Sequence, residues 1–124
     1  MALLVLTAYQ NRTNDFTGTL STSVTLAVTD RLRFKMGRRE AATPSLDLVE
    51  DTVTANGSRV DVTDATTKAY SLRLAQGDLA SLTTGVYDAE LLLVDDSETA
   101  PADAIKVSDH GVLYLLPQMG GNVS

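Results

Sequence analysis

From Leu82 to Asp96 the chain reads LTTGVYDAELLLVDD. Leu82-Thr83-Thr84-Gly85 has the composition of a corner, and Val86 to Val94 is the longest run with strand character. Alternation along that run puts Tyr87, Ala89, Leu91 and Leu93 on one face. Val86, Asp88, Glu90, Leu92 and Val94 fall on the other. The strand is therefore apolar on both faces towards its end, which requires cover on both sides. A chain organised around such a strand is committed to a sheet.

The flanking segments carry the same period. Ser23 to Thr29 and Arg31 to Met36 alternate, the latter with Leu32, Phe34 and Met36 inward and Arg31, Arg33 and Lys35 outward. Ser45 to Val49 places Leu46 and Leu48 on one face, and Ala69 to Leu74 points Tyr70, Leu72 and Leu74 inward. Asn56-Gly57 is a strong tight-turn signal and predicts a hairpin joining Thr52–Ala55 to Arg59–Val62; Asp64 to Thr67 predicts a second turn. Asp78 is placed to cap one helical turn. Leu3 to Tyr9 reads as a strand or ordered arm. Gln10 to Thr19 reads as a polar loop pinned by Phe16. Asp95 to Asp103 reads as an exposed acidic loop. Ile105 to Val107 and Val112 to Leu116 read as strand, with a kink at Asp109-His110-Gly111. The expected organisation is an N-terminal strand or arm and loop over 1–22, a sandwich over 23–117 and a fraying tail over 118–124.

About seven or eight short strands with regular turn signals and no helical period make the chain all-β. A Gly85/Tyr87 corner opening a long strand is what an immunoglobulin-like antiparallel β-sandwich places between its E and F strands, so a sandwich is favoured over a closed barrel. At 124 residues and 44% hydrophobic content the chain is one domain with enough material for a core. It has no cysteine, which removes disulfides, thiol catalysis and thiolate-bound metals. A net charge of −6 opposes general nucleic-acid binding. Leu3 to Leu6 lacks the basic flank and length of a secretion signal, so the expected setting is a cytoplasm or a particle assembled there.

The candidate sites are few. Asp95, Asp96, Glu98, Asp103 and Asp109 are the densest carboxylates, but they lack the glycine and spacing of a calcium loop and read as solvated. His110 is the only histidine and has no evident nucleophile and orienting acid, so it reads as a turn residue. Arg31, Arg33 and Lys35, continued by Arg38 and Arg39, form a basic stripe. A solvated face ranks first for it, docking on an acidic protein second and nucleic acid third. The outward Leu92 and Val94, and the doubly apolar Val112 to Leu116, suggest cover by the N-terminal arm, by loops or by another subunit. Leu92, Val94, Arg31, Arg33 and Lys35 are accordingly the candidate partner interface. No catalytic, cofactor-binding or metal residues are assigned.

Several motifs occur in a fixed order. They are Arg31-Leu32-Arg33-Phe34-Lys35, Pro44-Ser45-Leu46-Asp47-Leu48, Gly57-Ser58-Arg59-Val60, Tyr70-Ser71-Leu72-Arg73-Leu74, Leu82 to Leu91 and a late Gly111-Val112 strand. Together they resemble immunoglobulin-like domains of tailed-bacteriophage structural proteins, including the N-terminal domain of baseplate upper proteins. Those proteins continue into a fibre-forming segment, whereas this sequence stops soon after the last strand, which is more similar to a capsid decoration or head–tail accessory protein. The resemblance implies a non-enzymatic virion protein that docks on the major capsid protein or another virion component, as a homo-oligomer. It implies no cofactor, membrane or nucleic-acid partner. The alternatives are a tail or baseplate adaptor and a surface- or carbohydrate-binding module.

Overall fold

The computed structural model describes residues 3–20, 30–38, 41, 43–50, 52–95 and 104–117. Eight strands are β1 (Leu3–Tyr9), β2 (Asn14–Thr19), β3 (Asp30–Gly37), β4 (Leu46–Val49), β5 (Arg59–Asp64), β6 (Ala69–Leu74), β7 (Gly85–Asp95) and β8 (Ala104–Leu116). One helical turn, α1 (Gln76–Leu79), precedes β7. A five-stranded sheet runs β1-β8-β7-β3-β4 and a three-stranded sheet runs β2-β6-β5. All pairs are antiparallel except β1 with β8, which run in the same direction.

The alternating segments fold as their period requires. Leu32, Phe34 and Met36 of β3, Tyr70, Leu72 and Leu74 of β6, and Tyr87, Ala89 and Leu91 of β7 are buried in one cluster between the sheets. Leu6 and Ala8 of β1, Leu20, Leu48, Val60, Leu79 of α1, Leu113 and Leu115 complete it. Each valine, leucine, methionine or phenylalanine side chain so withdrawn from water contributes about 1.5–3 kcal/mol. The corner ahead of β7 is built as its sequence suggests: the Tyr87 hydroxyl donates to the Thr83 carbonyl at 2.5 Å. Gly85 has φ +139°, a backbone conformation closed to most L side chains. Arg38 locks the corner from outside, donating to the Thr83, Thr84 and Val86 carbonyls at 2.9–3.3 Å with its guanidinium 4.4 Å from the Tyr87 ring centroid.

Four expectations are corrected. Residues 14–19, read as loop, are strand β2: Asn14, Phe16 and Gly18 face Leu74, Leu72 and Tyr70 in register. Residues 3–19 thus supply one strand to each sheet. The Asn56-Gly57 turn forms, with the Gly57 amide bonded to the Thr54 carbonyl at 3.0 Å, but Thr52–Ala55 is not a strand and β5 pairs with β6 instead. Asp78 lies inside α1, whose N-cap is Ala75. Asp109 to Gly111 do not kink the last strand; they pair in register with Leu91, Glu90 and Ala89. The irregularity falls earlier, between Leu93 and Val94 of β7. The expected antiparallel sandwich carries one parallel pair, because β1 lies alongside β8 before crossing to the other sheet at Gln10–Thr13. The expected strand Ser23–Thr29, the acidic loop from Asp96 to Asp103, Arg39 and the tail after Pro117 lie outside the described residues.

Candidate interaction surface

The outward side of the five-stranded sheet is set by strand register. Lys35 of β3 lies across from Asp47 of β4 on one side and Glu90 of β7 on the other. Glu90 in turn faces His110 of β8, Asp88 faces Val112, and Val86 faces Tyr114. β1 completes the row, with Val5 beside Val112 and Thr7 beside Tyr114. The face therefore grades across the sheet. A basic stripe lies on β3, an acidic step at Asp88 and Glu90, and an apolar end on β1, β8 and the start of β7. A shallow hollow of about 370 Å³ lies at the acidic step, lined by Asp88, Glu90, His110 and Val112 among others.

The residues expected to form a partner interface do share this face, but they are committed within the chain. Leu92 is 4% exposed and Val94 6%, so neither offers apolar surface to a partner. Their cross-strand neighbours are Arg33 and Arg31, long side chains of the kind that cover apolar surface while their heads stay wet. Arg33 also bonds Asp47 at 3.1 Å, and Arg31 donates to the Asp30 carbonyl at 3.1 Å. Lys35 stands between two carboxylates in register. The stripe is thus balanced by acids of its own sheet.

Apart from Ile105, across from Val94, and Val53 in the segment before β5, the exposed large apolar side chains among the described residues gather at the other end. Val5 is 54% exposed, Val86 50% and Tyr114 41%, with Leu116 also exposed and Val112 half-buried beside them. The doubly apolar pattern of Val112 to Leu116 pointed to this patch, whereas Val5 and Val86 carried no distinct signal. Burial of their strand partners on the core side, Leu6, Tyr87, Leu113 and Leu115, fixes the outward direction of all of them.

Chemistry finds little purchase elsewhere. Asp109 and His110 are neighbours on one strand and point to opposite faces, so they cannot act as a pair. Asp109 is buried on the core side, where burial first, and its charge second, raise the pKa of Tyr70 above the ordinary phenol value. Asp78 is a structural hub. Its carboxylate accepts from Thr54 Oγ1 at 2.6 Å, from Asn56 Nδ2 at 2.8 Å and from Ser58 Oγ. Burial pushes its pKa up, and the three hydrogen bonds together overcome that and hold it below the usual carboxylate value. It ties the Asn56-Gly57 turn to α1. Among the described residues no group of three or more histidine or acidic side chains could hold a metal ion.

No family model matches this chain, and no curated protein does. Solved structures do. The natural cytotoxicity receptor NKp44 of NK cells is similar at a TM-score of 0.54 and 10% identity, over 93% of this chain and 99% of that one. The extracellular domain of the voltage-gated sodium channel beta4 subunit matches at a TM-score of 0.43 and 14% identity, over 94% and 91% of the two chains. With two facing sheets, a tyrosine corner and a likeness that spans nearly the whole chain, this is an all-β protein with an immunoglobulin-like β-sandwich fold.

Proposed function

We propose that the protein is a non-enzymatic structural component of a phage virion, docked on the major capsid protein or a neighbouring virion protein through the outer face of its five-stranded sheet. The observation that carries the docking reading is the exposed apolar group Val5, Val86, Tyr114 and Leu116 on a single sheet face. Apolar side chains gathered on one face, beside charged neighbours that can fix orientation, mark association surfaces. The virion setting rests on the resemblance of Arg31–Lys35, Pro44–Leu48, Tyr70–Leu74 and Leu82–Leu91 to phage structural domains. A decoration or head-accessory role is the form of that setting we favour, and a tail adaptor is the alternative.

The test is direct. In purified particles of the phage that encodes it, the chain is expected at a fixed ratio to the major capsid protein. Added back to particles lacking it, the wild type should bind to saturation, and Val86→Asp and Tyr114→Asp should not. Absence of the chain from purified particles would overturn the virion reading. Undiminished binding by both variants would overturn the choice of face.

A further inference from the structure

Among the described residues the two sheets have four edges, β1 and β4 on one and β2 and β5 on the other. An open edge is a template for pairing with another chain, and proteins guard it with charge, brevity, proline or a bulge. Three of these edges are guarded. β4 is four residues long and carries Asp47, bonded to Arg33. β5 carries the Arg59–Asp61 ion pair and an irregularity between Val62 and Asp64. β2 carries Asp15, paired to Arg73 at 2.8 Å. β1 is seven residues of LLVLTAY, with no charge, proline or glycine, and the first charged residue of the chain is Arg12.

The polar groups that β1 presents can be assigned. The Gln10 amide donates to the Leu116 carbonyl of β8 at 2.8 Å. By strand alternation Leu4, Leu6 and Ala8 direct their N–H and C=O groups to β8 as well, while Leu3, Val5, Thr7 and Tyr9 direct theirs away from it. Tyr9 is already satisfied, since its N–H donates to Asn14 Oδ1 and its carbonyl accepts from Asn14 Nδ2, both at 3.0 Å. Among the described residues, no hydrogen bond is made to the outward N–H and C=O groups of Leu3, Val5 and Thr7.

We propose that β1 is a self-association edge, pairing antiparallel with β1 of a second copy about a twofold axis beside Val5. Val5 then faces Val5 of the other copy and Leu3 faces its Thr7, and each such pair exchanges both its N–H···O bonds. Three features select a second copy as the occupant. The Asn14 clamp closes the open window at Tyr9, leaving the outward groups of Leu3, Val5 and Thr7 placed symmetrically about Val5, and a window symmetric about one residue is its own complement under a twofold. A chain of net charge −6 repels its own copies, and β1 is the edge where that repulsion is least. The joined sheet ends on a guarded β4 at both sides, so the assembly closes as a dimer instead of growing into a fibre. The proposal does not depend on what the sheet face docks against.

Light scattering over a concentration series tests it. The wild type should approach twice its 13.2 kDa monomer mass as concentration rises. Thr7→Pro removes an outward donor and no bond to β8, a substitution that edge strands accept, and should be monomeric with native circular dichroism. Val5→Lys, at a solvent-facing side chain, should weaken association by about tenfold or more. Val86→Asp, on the sheet face but off the edge, should leave the dimer intact. Hydrogen exchange should slow at the Val5 and Thr7 amides as concentration rises. A wild type that stays monomeric overturns the proposal. So does a dimer undiminished by Val5→Lys, or one that persists in a folded Thr7→Pro.

Discussion

Gly111→Ala is the sharpest test of how β1 is held. A methyl group built on Gly111 would sit 1.8 Å from the Leu4 carbonyl oxygen, an atom of the β1 backbone and not a movable side chain. Ordinary carbon–oxygen contacts are about 3.3 Å or longer, so β1 must retreat by roughly 1.5 Å. That exceeds what a hydrogen bond near 2.9 Å can absorb, and the bonds Leu4 makes to β8 are lost at about 1 kcal/mol each. Partial exposure of Leu6, now buried in the core, adds about 1–2 kcal/mol. The sum is roughly 3–4 kcal/mol, or a fall of about 10–15 °C in Tm for a domain of this size. Thermal unfolding followed by circular dichroism reads the loss, and hydrogen exchange should show it concentrated at the amides of β1. The contrast is Gly77→Ala, where the methyl would meet the exposed Asn56 side chain, whose displacement costs its hydrogen bond to Asp78, about 1 kcal/mol, and leaves β1 untouched. A Gly111→Ala protein within about 0.5 kcal/mol of wild type, with β1 protection unchanged, would refute the close-approach argument.

Other substitutions separate the remaining claims. Leu92→Ala should cost about 2–4 kcal/mol in chemical denaturation because Leu92 is buried within the chain, while Val86→Ala should stay within about 0.5 kcal/mol; equal small effects would mean that Leu92 is exposed after all. Tyr87→Phe removes the corner hydrogen bond but leaves the Thr83 carbonyl with its Arg38 partner, so the cost in urea unfolding should be only about 1 kcal/mol. Asp78 has a folded pKa below its unfolded value of 3.8, so its stabilisation is present above that pH and is lost as pH falls through the folded pKa. Asp78→Asn should therefore lower Tm at pH 7 and flatten its decline in acid, and an acid limb identical to wild type would exclude the hub.

The strands that were legible in the sequence are those whose inward positions are large and apolar. Leu32, Phe34 and Met36 of β3, and Tyr70, Leu72 and Leu74 of β6, announce themselves by period alone. β2 was hidden because two of its three inward positions are Asn14 and Gly18. Asn14 is used to clamp the Tyr9 backbone, and a methyl group on Gly18 would sit 2.6 Å from the Tyr70 hydroxyl, so the tyrosine fills the space a side chain would take. The same applies to β8, where Asp109 and Gly111 resemble a break but occupy inward positions facing Leu91 and Ala89. In each case a distant element supplies what the local pattern lacks, and no window of sequence contains both.

The candidate surface divides along the same line. Alternation correctly put Leu92, Val94, Arg31, Arg33 and Lys35 on one side of the sheet. What it could not register is cover: the arginines lie across from Leu92 and Val94 only once β3 and β7 are paired, and Arg38 leaves the basic stripe to bind the corner. The exposed end of the face needs three strands, β1, β7 and β8, drawn from opposite ends of the chain. Only the Val112-Tyr114-Leu116 edge of it was visible in one segment.

The central claim is that this sandwich acts by docking its five-stranded face on a virion protein. Binding of the purified chain to particles stripped of it, measured by co-sedimentation across a titration, tests that claim most directly. Saturation at a fixed ratio to the major capsid protein, abolished by Tyr114→Asp in a variant with a native melting profile, is the predicted result. Failure of the wild type to bind particles at any concentration would contradict it.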